Sequence, residues 1–279
     1  MNKLSLFAKI SIFTVVFWLM LFAFLPNLLV IISSFLTKGT DEFLIFSGTF
    51  ESYRKLFNPI YFSIFLDSLY IALITTIITL VLAYPFAYII ATAPKKYKFL
   101  LLLLVIIPFW TSSLVRTYAL IAILKTKGLL NGFLLWLGII EQPLEIMYTQ
   151  TAVFIGMVYT LLPFMILPLY VSIEKIDFRL VEAARDLGAS KINTFKSIII
   201  PLSLPGIIAG STLVFLPALG MFFIPDILGG AKELIIGSFI RNQFLQFRDW
   251  PFGSAASVIL LVIMFIMLAL LAKVQRNTK

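Results

Sequence analysis

A charged stretch between Glu174 and Lys196 contains nine charged side chains and separates two strongly apolar segments of this 279-residue chain. Histidine and cysteine are absent, which excludes thiol nucleophiles, disulfides, Cys/His zinc sites and histidine proton relays. Neither G-x-x-x-x-G-K-[ST] nor G-x-G-x-x-G is present, so no nucleotide-binding signature is found. The stretch therefore favours polar docking over catalysis, and any ATP would be hydrolysed by another subunit.

The elements that must position this stretch are predicted to be membrane helices. The chain is 61% hydrophobic and only 13% charged, whereas soluble domains are about 45–50% apolar and about 25% charged. Apolar runs of sufficient length predict an all-α integral membrane protein with six transmembrane helices. Their predicted bounds are about 10–34, 61–93, 99–124, 151–173, 200–224 and 254–272. Pro108 interrupts the third span, Pro163 and Pro168 break the fourth, and the fifth contains Pro201, Pro205, Pro217 and Gly220.

The net charge of +9 is explained by topology. With both termini inside, the inner face carries all of the positive excess, and the outer face sums to zero. This is the positive-inside pattern of a cytoplasmic surface. Membrane topology therefore explains the excess of Lys and Arg, and no nucleic-acid partner is needed to explain it. The first apolar run exceeds the length of a signal-peptide core, so we expect an uncleaved first helix.

Within the charged stretch, apolar residues recur at helical spacing on one face. These are Ile176, Leu180, Ala183, Ala184 and Leu187, with Arg179, Glu182 and Asp186 opposite. Gly188 suits the left-handed residue after a helix, and Ser190 can cap a second short helix with Ile192, Phe195 and Ile199 on one side. Pro201 is expected to stop or redirect the chain. An ordinary amphipathic connector at the membrane surface would show the same pattern.

The spacing E-A-A, three residues, G, nine residues, I-x-x-P resembles the EAA loop of ABC importer permeases, with Ile200 where that family usually has leucine. The matching residues are Glu182, Ala183, Ala184, Gly188, Ile198 and Pro201. We call residues 174–201 the EAA loop. The resemblance implies the type I ABC importer permease fold, with a cytoplasmic loop that docks on an ATPase and converts its closure into rocking of the spans.

Longer stretches resemble the permeases of bacterial spermidine/putrescine importers. They are Pro108–Tyr118, Leu162–Tyr170, Ser172–Lys175, Pro217–Gly220, Pro225–Lys232 and Asp249–Gly253. The resemblance implies a non-catalytic, multi-pass subunit of the bacterial inner membrane. Its partners would be a second homologous permease, two ATPase subunits and a periplasmic polyamine-binding protein. The chain itself would bind no cofactor, since ATP and Mg would be held by the ATPase. The implied organisation is an N-terminal helix and outer loop (1–60), a permease domain (61–273) and a cytoplasmic tail (274–279).

Two other readings remain open at this point. A permease for another small solute, such as thiamine, ferric iron or a phosphonate, would carry the same EAA loop. A stand-alone secondary transporter would need ionisable residues inside the membrane for ion coupling. The predicted spans offer only Asp67 and Arg116, both near the outer face. A membrane enzyme has little support without His, Cys or a buried acid pair.

A polyamine is a flexible polycation, so its path should offer carboxylates and aromatic faces. The candidates are Asp226, Asp67, Trp110, Tyr118, Tyr159, Phe222 and Phe223. Asp67 could instead complement the positive end of its helix, Asp226 could be a turn residue, and the aromatics could belong to the interfacial belt. Arg116 is a poor ligand for a cation and is expected to snorkel or pair with an acid.

The stretch from Pro217 to Pro225 is the part of the fifth span that we expect to be interrupted. Interrupted helices recur at transporter substrate sites, where backbone carbonyls become available to a cation. We therefore predict that the freed carbonyls of this stretch, together with Asp226, line the outer half of the pathway.

Overall fold

The computed structural model of the protein describes residues 6–39, 45–230 and 234–277. Every regular element in these ranges is a helix, apart from an isolated β-bridge between Thr37 and Ile45. Parts of three predicted features lie outside the described residues: 40–44 of the first outer loop, 231–232 of the Pro225–Lys232 motif, and 278–279 of the tail.

The described helices are, in chain order, α1 (Leu6–Leu19), α2 (Leu25–Ser33), α3 (Glu51–Leu56), α4 (Pro59–Thr92), α5 (Lys95–Ile106), α6 (Ser113–Leu124), α7 (Leu129–Trp136), α8 (Gln150–Glu174), α9 (Arg179–Asp186), α10 (Lys191–Thr194), α11 (Ile200–Gly220), α12 (Phe223–Gly229), α13 (Ile236–Leu245) and α14 (Trp250–Asn277). A π-turn over Met20–Phe24 joins α1 to α2, a 3₁₀ turn over Ile107–Trp110 follows α5, and a π-turn over Phe195–Ile199 joins α10 to α11.

Six segments of the described chain are long and apolar enough to cross a membrane, which confirms the predicted all-α membrane fold. They are Phe7–Ser33, Pro59–Thr92, Ser113–Trp136, Gln150–Glu174, Lys191–Gly220 and Trp250–Lys273. The predicted third span, 99–124, is divided: Pro108 lies in the 3₁₀ turn, and Thr111 is extended with ψ 149° before α6 begins. Proline supplies no N–H to the helix ladder, so a continuous helix is not maintained there.

The fourth predicted span is not broken by its two prolines. α8 runs continuously from Gln150 to Glu174 with Pro163 and Pro168 inside it. Interior prolines are tolerated in membrane helices when packing against neighbours holds the helix together. α8 has that packing, because one stripe of its side chains at fourth-residue spacing is almost completely buried. The stripe comprises Met157, Leu161, Met165, Leu169 and Ile173.

The chain divides into two compact units, and the larger one contains the described residues from Ile64 to Ser238 and from Ile266 onward. Its most extensive helix packing is between α8 and α11. A Cβ at Gly206 would lie 2.4 Å from the Ser172 Cβ, and one at Gly210 would lie 2.6 Å from the Met165 sulfur. The four-residue spacing of Gly206 and Gly210 is the small-residue pattern that lets membrane helices approach closely.

The smaller unit contains the described residues up to Ser63 and those from Phe239 to Phe265. Aromatic contacts dominate it. Tyr61, Phe239 and Phe252 form a cluster with ring centroids 5.0–5.6 Å apart, and Phe35 packs edge-on against Phe50 at 5.4 Å. Such aromatic pairs supply a large apolar contact area with defined geometry.

Candidate functional site: the EAA loop and the broken fifth helix

The central part of the EAA loop forms a helix, a tight turn and a second short helix, which is the shape predicted from its spacing. α9 is followed by Leu187 and then by Gly188, whose φ of +85° lies in the left-handed region. Glycine adopts this conformation without the steric cost that a Cβ would add. Ser190 caps α10, since its side chain accepts a hydrogen bond from the Asn193 N–H at 3.2 Å.

The first helix of the loop begins later than predicted. The apolar periodicity started at Ile176, but α9 begins at Arg179. The cause is local, because the Asp177 side chain accepts a hydrogen bond from the Arg179 N–H at 3.0 Å. Aspartate favours such turns at the start of helices. Ile176 is buried ahead of the helix, so it anchors the loop instead of extending α9.

The apolar face predicted for α9 is directed outward. Leu180 is 50% exposed, Leu187 is 89% exposed, and Ile192 of α10 is 65% exposed. The helix is instead held to the chain by Val181, which is 4% exposed and which the periodicity did not single out. Among the motif residues of this part, Glu182, Ala183 and Gly188 are exposed, and Ala184 is half-buried. Exposed leucines beside exposed charges are typical of a surface that a protein partner covers.

Pro201 does not stop or redirect the chain, contrary to the prediction. The chain is helical from Lys191 to Gly220, with Pro201 in the first turn of α11. The π-turn before it explains this continuity. Here the Ile200 N–H bonds to the Phe195 carbonyl, five residues back, so the helix widens locally just where proline lacks a donor. Of the two tail residues of the motif, Ile198 is half-buried and Pro201 is exposed.

Three side-chain contacts near the ends of the EAA loop are not predicted from the sequence. Lys98 of α5 donates to the Glu174 carboxylate at 2.9 Å. Tyr84 of α4 hydrogen-bonds to Ser203 at 2.7 Å, and its ring lies 5.3 Å from that of Phe195. The partners in these pairs are 76, 119 and 111 residues apart in the chain, so no local sequence pattern could have linked them.

The fifth helix is interrupted within the predicted stretch. α11 ends at Gly220, Met221 is extended with ψ 125°, and α12 begins at Phe223. Asp226 lies in the first turn of α12, where the Ser238 hydroxyl donates to its carboxylate at 2.7 Å. The negative side chain thus complements the positive end of a short helix. The interruption places Phe222, Phe223 and Asp226 around one break in the backbone.

The break is packed against the start of α13. A Cβ added to Gly237 would lie 2.6 Å from the Gly220 carbonyl oxygen. Nearby, the Ile236 N–H donates to the buried Ser68 hydroxyl of α4 at 2.7 Å. The end of α11, the start of α13 and one turn of α4 are therefore in direct backbone or hydrogen-bond contact.

The other predicted pathway residues lie on separate elements with exposed side chains. Trp110 is 79% exposed, Tyr118 is 61% exposed and Tyr159 is 40% exposed. Asp67 is also exposed, and it stands eight residues after Pro59, the first residue of α4. The helix dipole acts within the first turn, so the alternative role for Asp67 as a dipole partner loses its physical basis.

Arg116 contacts aromatic rings, and no acid pairs with it among the described residues. Its guanidinium carbon is 5.5 Å from the Phe109 ring and 6.0 Å from the Tyr159 ring. Its buried Nε has no hydrogen-bond partner within the described chain. Cation–π contact is a recognised way to hold arginine in an apolar setting, and it stands in place of the acid pairing, one of the two expectations for Arg116.

Comparison with known proteins identifies the architecture. Residues 83–279 match the family model described as binding-protein-dependent transport system inner membrane component. Two crystal structures of a bacterial alginate ABC transporter have the same fold. One superposes with a TM-score of 0.77 at 16% identity over 97% of this chain and 94% of that chain. The other gives a TM-score of 0.72 at 17% identity over 96% and 94%.

Closer relatives are similar over nearly the whole chain. The spermidine/putrescine transport system permease protein PotB of Salmonella typhimurium is 54% identical over 99% of this chain and 96% of that protein. The protein of the same name from Escherichia coli is 56% identical over 95% and 96%, and that from Haemophilus influenzae is 50% identical over 94% and 92%.

Proposed function

The chain belongs to the binding-protein-dependent transport system inner membrane components, and we propose that it is the permease subunit of an ABC importer for polyamines such as spermidine and putrescine. The observation that carries the substrate class is the 54% identity to the Salmonella spermidine/putrescine permease over 99% of the chain. The aligned region covers 99% of the chain, so it includes all six candidate spans of the described residues. It therefore includes the membrane helices that would contact a substrate.

The proposed assembly divides the work between subunits. This chain and a second homologous permease form the membrane path, two ATPase subunits bind ATP and Mg, and a periplasmic binding protein delivers the polyamine. The chain is a non-catalytic membrane subunit of a transporter. No residue of this chain is assigned to bond making or breaking.

The EAA loop is the proposed site of ATPase docking. Leu187 and Ile192 offer exposed apolar contact area, and apolar anchors with a charged rim are the usual anatomy of a protein interface. Glu182 is exposed on α9 and can pair with a polar group of the ATPase. Gly188 sets the angle between the two short helices, so it fixes the shape that the ATPase groove must fit.

The break between α11 and α12 is the proposed substrate contact. Proline at position 217 and the end of α11 at Gly220 leave backbone carbonyls without helical donors. Carbonyl oxygens and the carboxylate of Asp226 suit an ammonium group, and Phe222 suits the methylene spacers and cation–π contact. We place Asp67, Trp110, Tyr118 and Tyr159 along the same path as secondary contacts.

The test is transport by the complete complex reconstituted in liposomes. Radiolabelled spermidine and putrescine should enter only with ATP and binding protein present, and excess thiamine, ferric iron or phosphonate should not compete. Competition by one of those solutes and not by unlabelled polyamine would identify a different importer of the same family.

A second arm separates the importer from a stand-alone carrier. The chain reconstituted without the ATPase should take up no polyamine when a pH or sodium gradient is imposed. Gradient-driven uptake by the isolated chain would contradict the proposal.

A further inference from the structure

Two polar contacts fasten the EAA loop to α4 and α5. At the start of the loop, Glu174 accepts a hydrogen bond from Lys98 in the first turn of α5, at 2.9 Å. The Lys98 side chain is only 19% exposed, whereas Lys95 in the same turn is exposed. Lys98 therefore turns toward α8, away from its basic neighbours in the short loop after α4.

The second contact lies just beyond the end of the loop. The Ser203 hydroxyl donates to the Ile200 carbonyl at 3.0 Å, so in its 2.7 Å contact with Tyr84 the tyrosine is the donor. The Tyr84 ring also meets the ring of Phe195 edge-on, with centroids 5.3 Å apart. This one side chain of α4 thus touches both the π-turn and the first turn of α11.

The two contacts connect the region of the EAA loop to two helices that are consecutive in the chain, since α4 ends at Thr92 and α5 begins at Lys95. The helices that flank the loop, α8 and α11, are packed through Gly206 and Gly210. A displacement of the loop therefore moves α8 and α11 together. Apolar packing of α4 and α5 against α8 and α11 is non-directional. Hydrogen bonds and ion pairs have a defined length and angle, so they can pass a movement of α8 and α11 on to α4 and α5.

We propose that Lys98 and Tyr84 are positioning residues that transmit displacement of the EAA loop to α4 and α5. The inference rests on the proposed role of the EAA loop in coupling to an ATPase. Neither residue touches substrate or nucleotide in this role. Loss of either contact should leave ATP hydrolysis in place and lower the number of polyamine molecules moved per ATP.

The test uses the reconstituted complex and three variants of the ion pair: Lys98→Glu, Glu174→Lys and the double exchange. Polyamine uptake and ATP hydrolysis are measured together, and bound ATPase is quantified. Each single reversal should lower uptake per ATP roughly threefold, the effect expected for a partly exposed ion pair. The double exchange should restore the ratio, because the pair is re-formed with opposite polarity.

Matched variants separate this effect from general disturbance. Lys95→Glu makes the same charge change in the same turn, where Lys95 forms no ion pair with any residue that the structure describes, and it should leave uptake per ATP unchanged. Tyr84→Phe removes one hydroxyl while keeping the ring contact with Phe195, and it should lower the ratio.

Three results would overturn the proposal. The single reversals could show the same uptake per ATP as the unchanged protein, or the double exchange could show uptake per ATP as low as that of the single reversals. The third result is loss of bound ATPase in every ion-pair variant. Failure of the proposed function is recognised separately, because uptake and ATPase binding would then survive changes at Glu182 and Gly188.

Discussion

The backbone of Gly220 lies so close to Gly237 that a side chain at position 237 would not fit. A Cβ at position 237 would lie 2.6 Å from the Gly220 carbonyl oxygen and 3.0 Å from its carbonyl carbon. These distances join the end of α11 to the first turn of α13. The interruption of the fifth helix is therefore held by backbone packing as well as by proline chemistry.

Gly237→Ala should destabilise the complex and reduce transport, since the added methyl group must push α13 away from the break. Overpacking of this kind costs about 1–3 kcal/mol. Thermal unfolding of the purified complex measures the loss. Gly132→Ala is the matched control, because a Cβ there meets nothing within 4 Å. Equal melting temperatures for the two variants would contradict the close contact.

Gly188→Ala should weaken ATPase binding, because an L-residue in the left-handed region costs about 1–2 kcal/mol and relaxation would change the angle of the loop. Co-purification of the ATPase with the tagged permease is the measurement. Gly138 also has positive φ, +68°, with open space around it. Gly138→Ala therefore carries the same backbone strain and should leave ATPase binding intact. Asparagine at 188 should retain more binding than alanine, since it tolerates this conformation.

Leu187→Ser should reduce ATPase affinity about fivefold or more, corresponding to a contact of about 1 kcal/mol in an interface centre. Because Leu187 is 89% exposed, the change should not lower the melting temperature of the permease alone. Leu245→Ser serves as the control, as its side chain is 72% exposed and lies outside the EAA loop. Affinity is measured by titrating ATPase onto permease in detergent. Identical titration curves would show that Leu187 is not covered by the ATPase.

Asp226→Asn should lower polyamine uptake about tenfold, the size expected when a charged hydrogen-bond partner worth about 1.5 kcal/mol is lost. The readout is initial uptake rate against polyamine concentration, with a rise in KM expected. Ser238→Ala removes the hydroxyl that donates to Asp226 at 2.7 Å and keeps the charge. A loss of equal size in Ser238→Ala would mean that Asp226 acts by holding α12 in place. Unchanged uptake in Asp226→Asn would remove Asp226 from the substrate path.

Local signals in the sequence predict local structure well. Six apolar stretches predict the number of candidate spans, Gly188 predicts the turn, and Ser190 predicts the cap of α10, because each depends on nearby residues only. The third span is displaced, since 99–124 is predicted and Ser113–Trp136 is the segment long and apolar enough to cross. The EAA spacing also indicates the family that the comparisons establish.

Features that depend on distant packing are not predicted. The continuity of α8 through Pro163 and Pro168 follows from the burial of its stripe of side chains, which periodicity in one helix does not reveal. The π-turn that accommodates Pro201 is likewise not predicted by any pattern in the sequence. Val181, and not the predicted apolar face, is buried in α9, because burial is decided by which neighbour is present.

Gly206 and Gly210 have a consequence for how the transporter can change over time. They let α8 and α11, the two helices that flank the EAA loop, pack closely against each other. The shape of the EAA loop therefore does not depend on its exposed side chains. Substitutions at Leu187 and Ile192 can accumulate without loss of fold. These are the positions at which the chain could be adapted, by evolution or by engineering, to bind the ATPase subunit of another transporter.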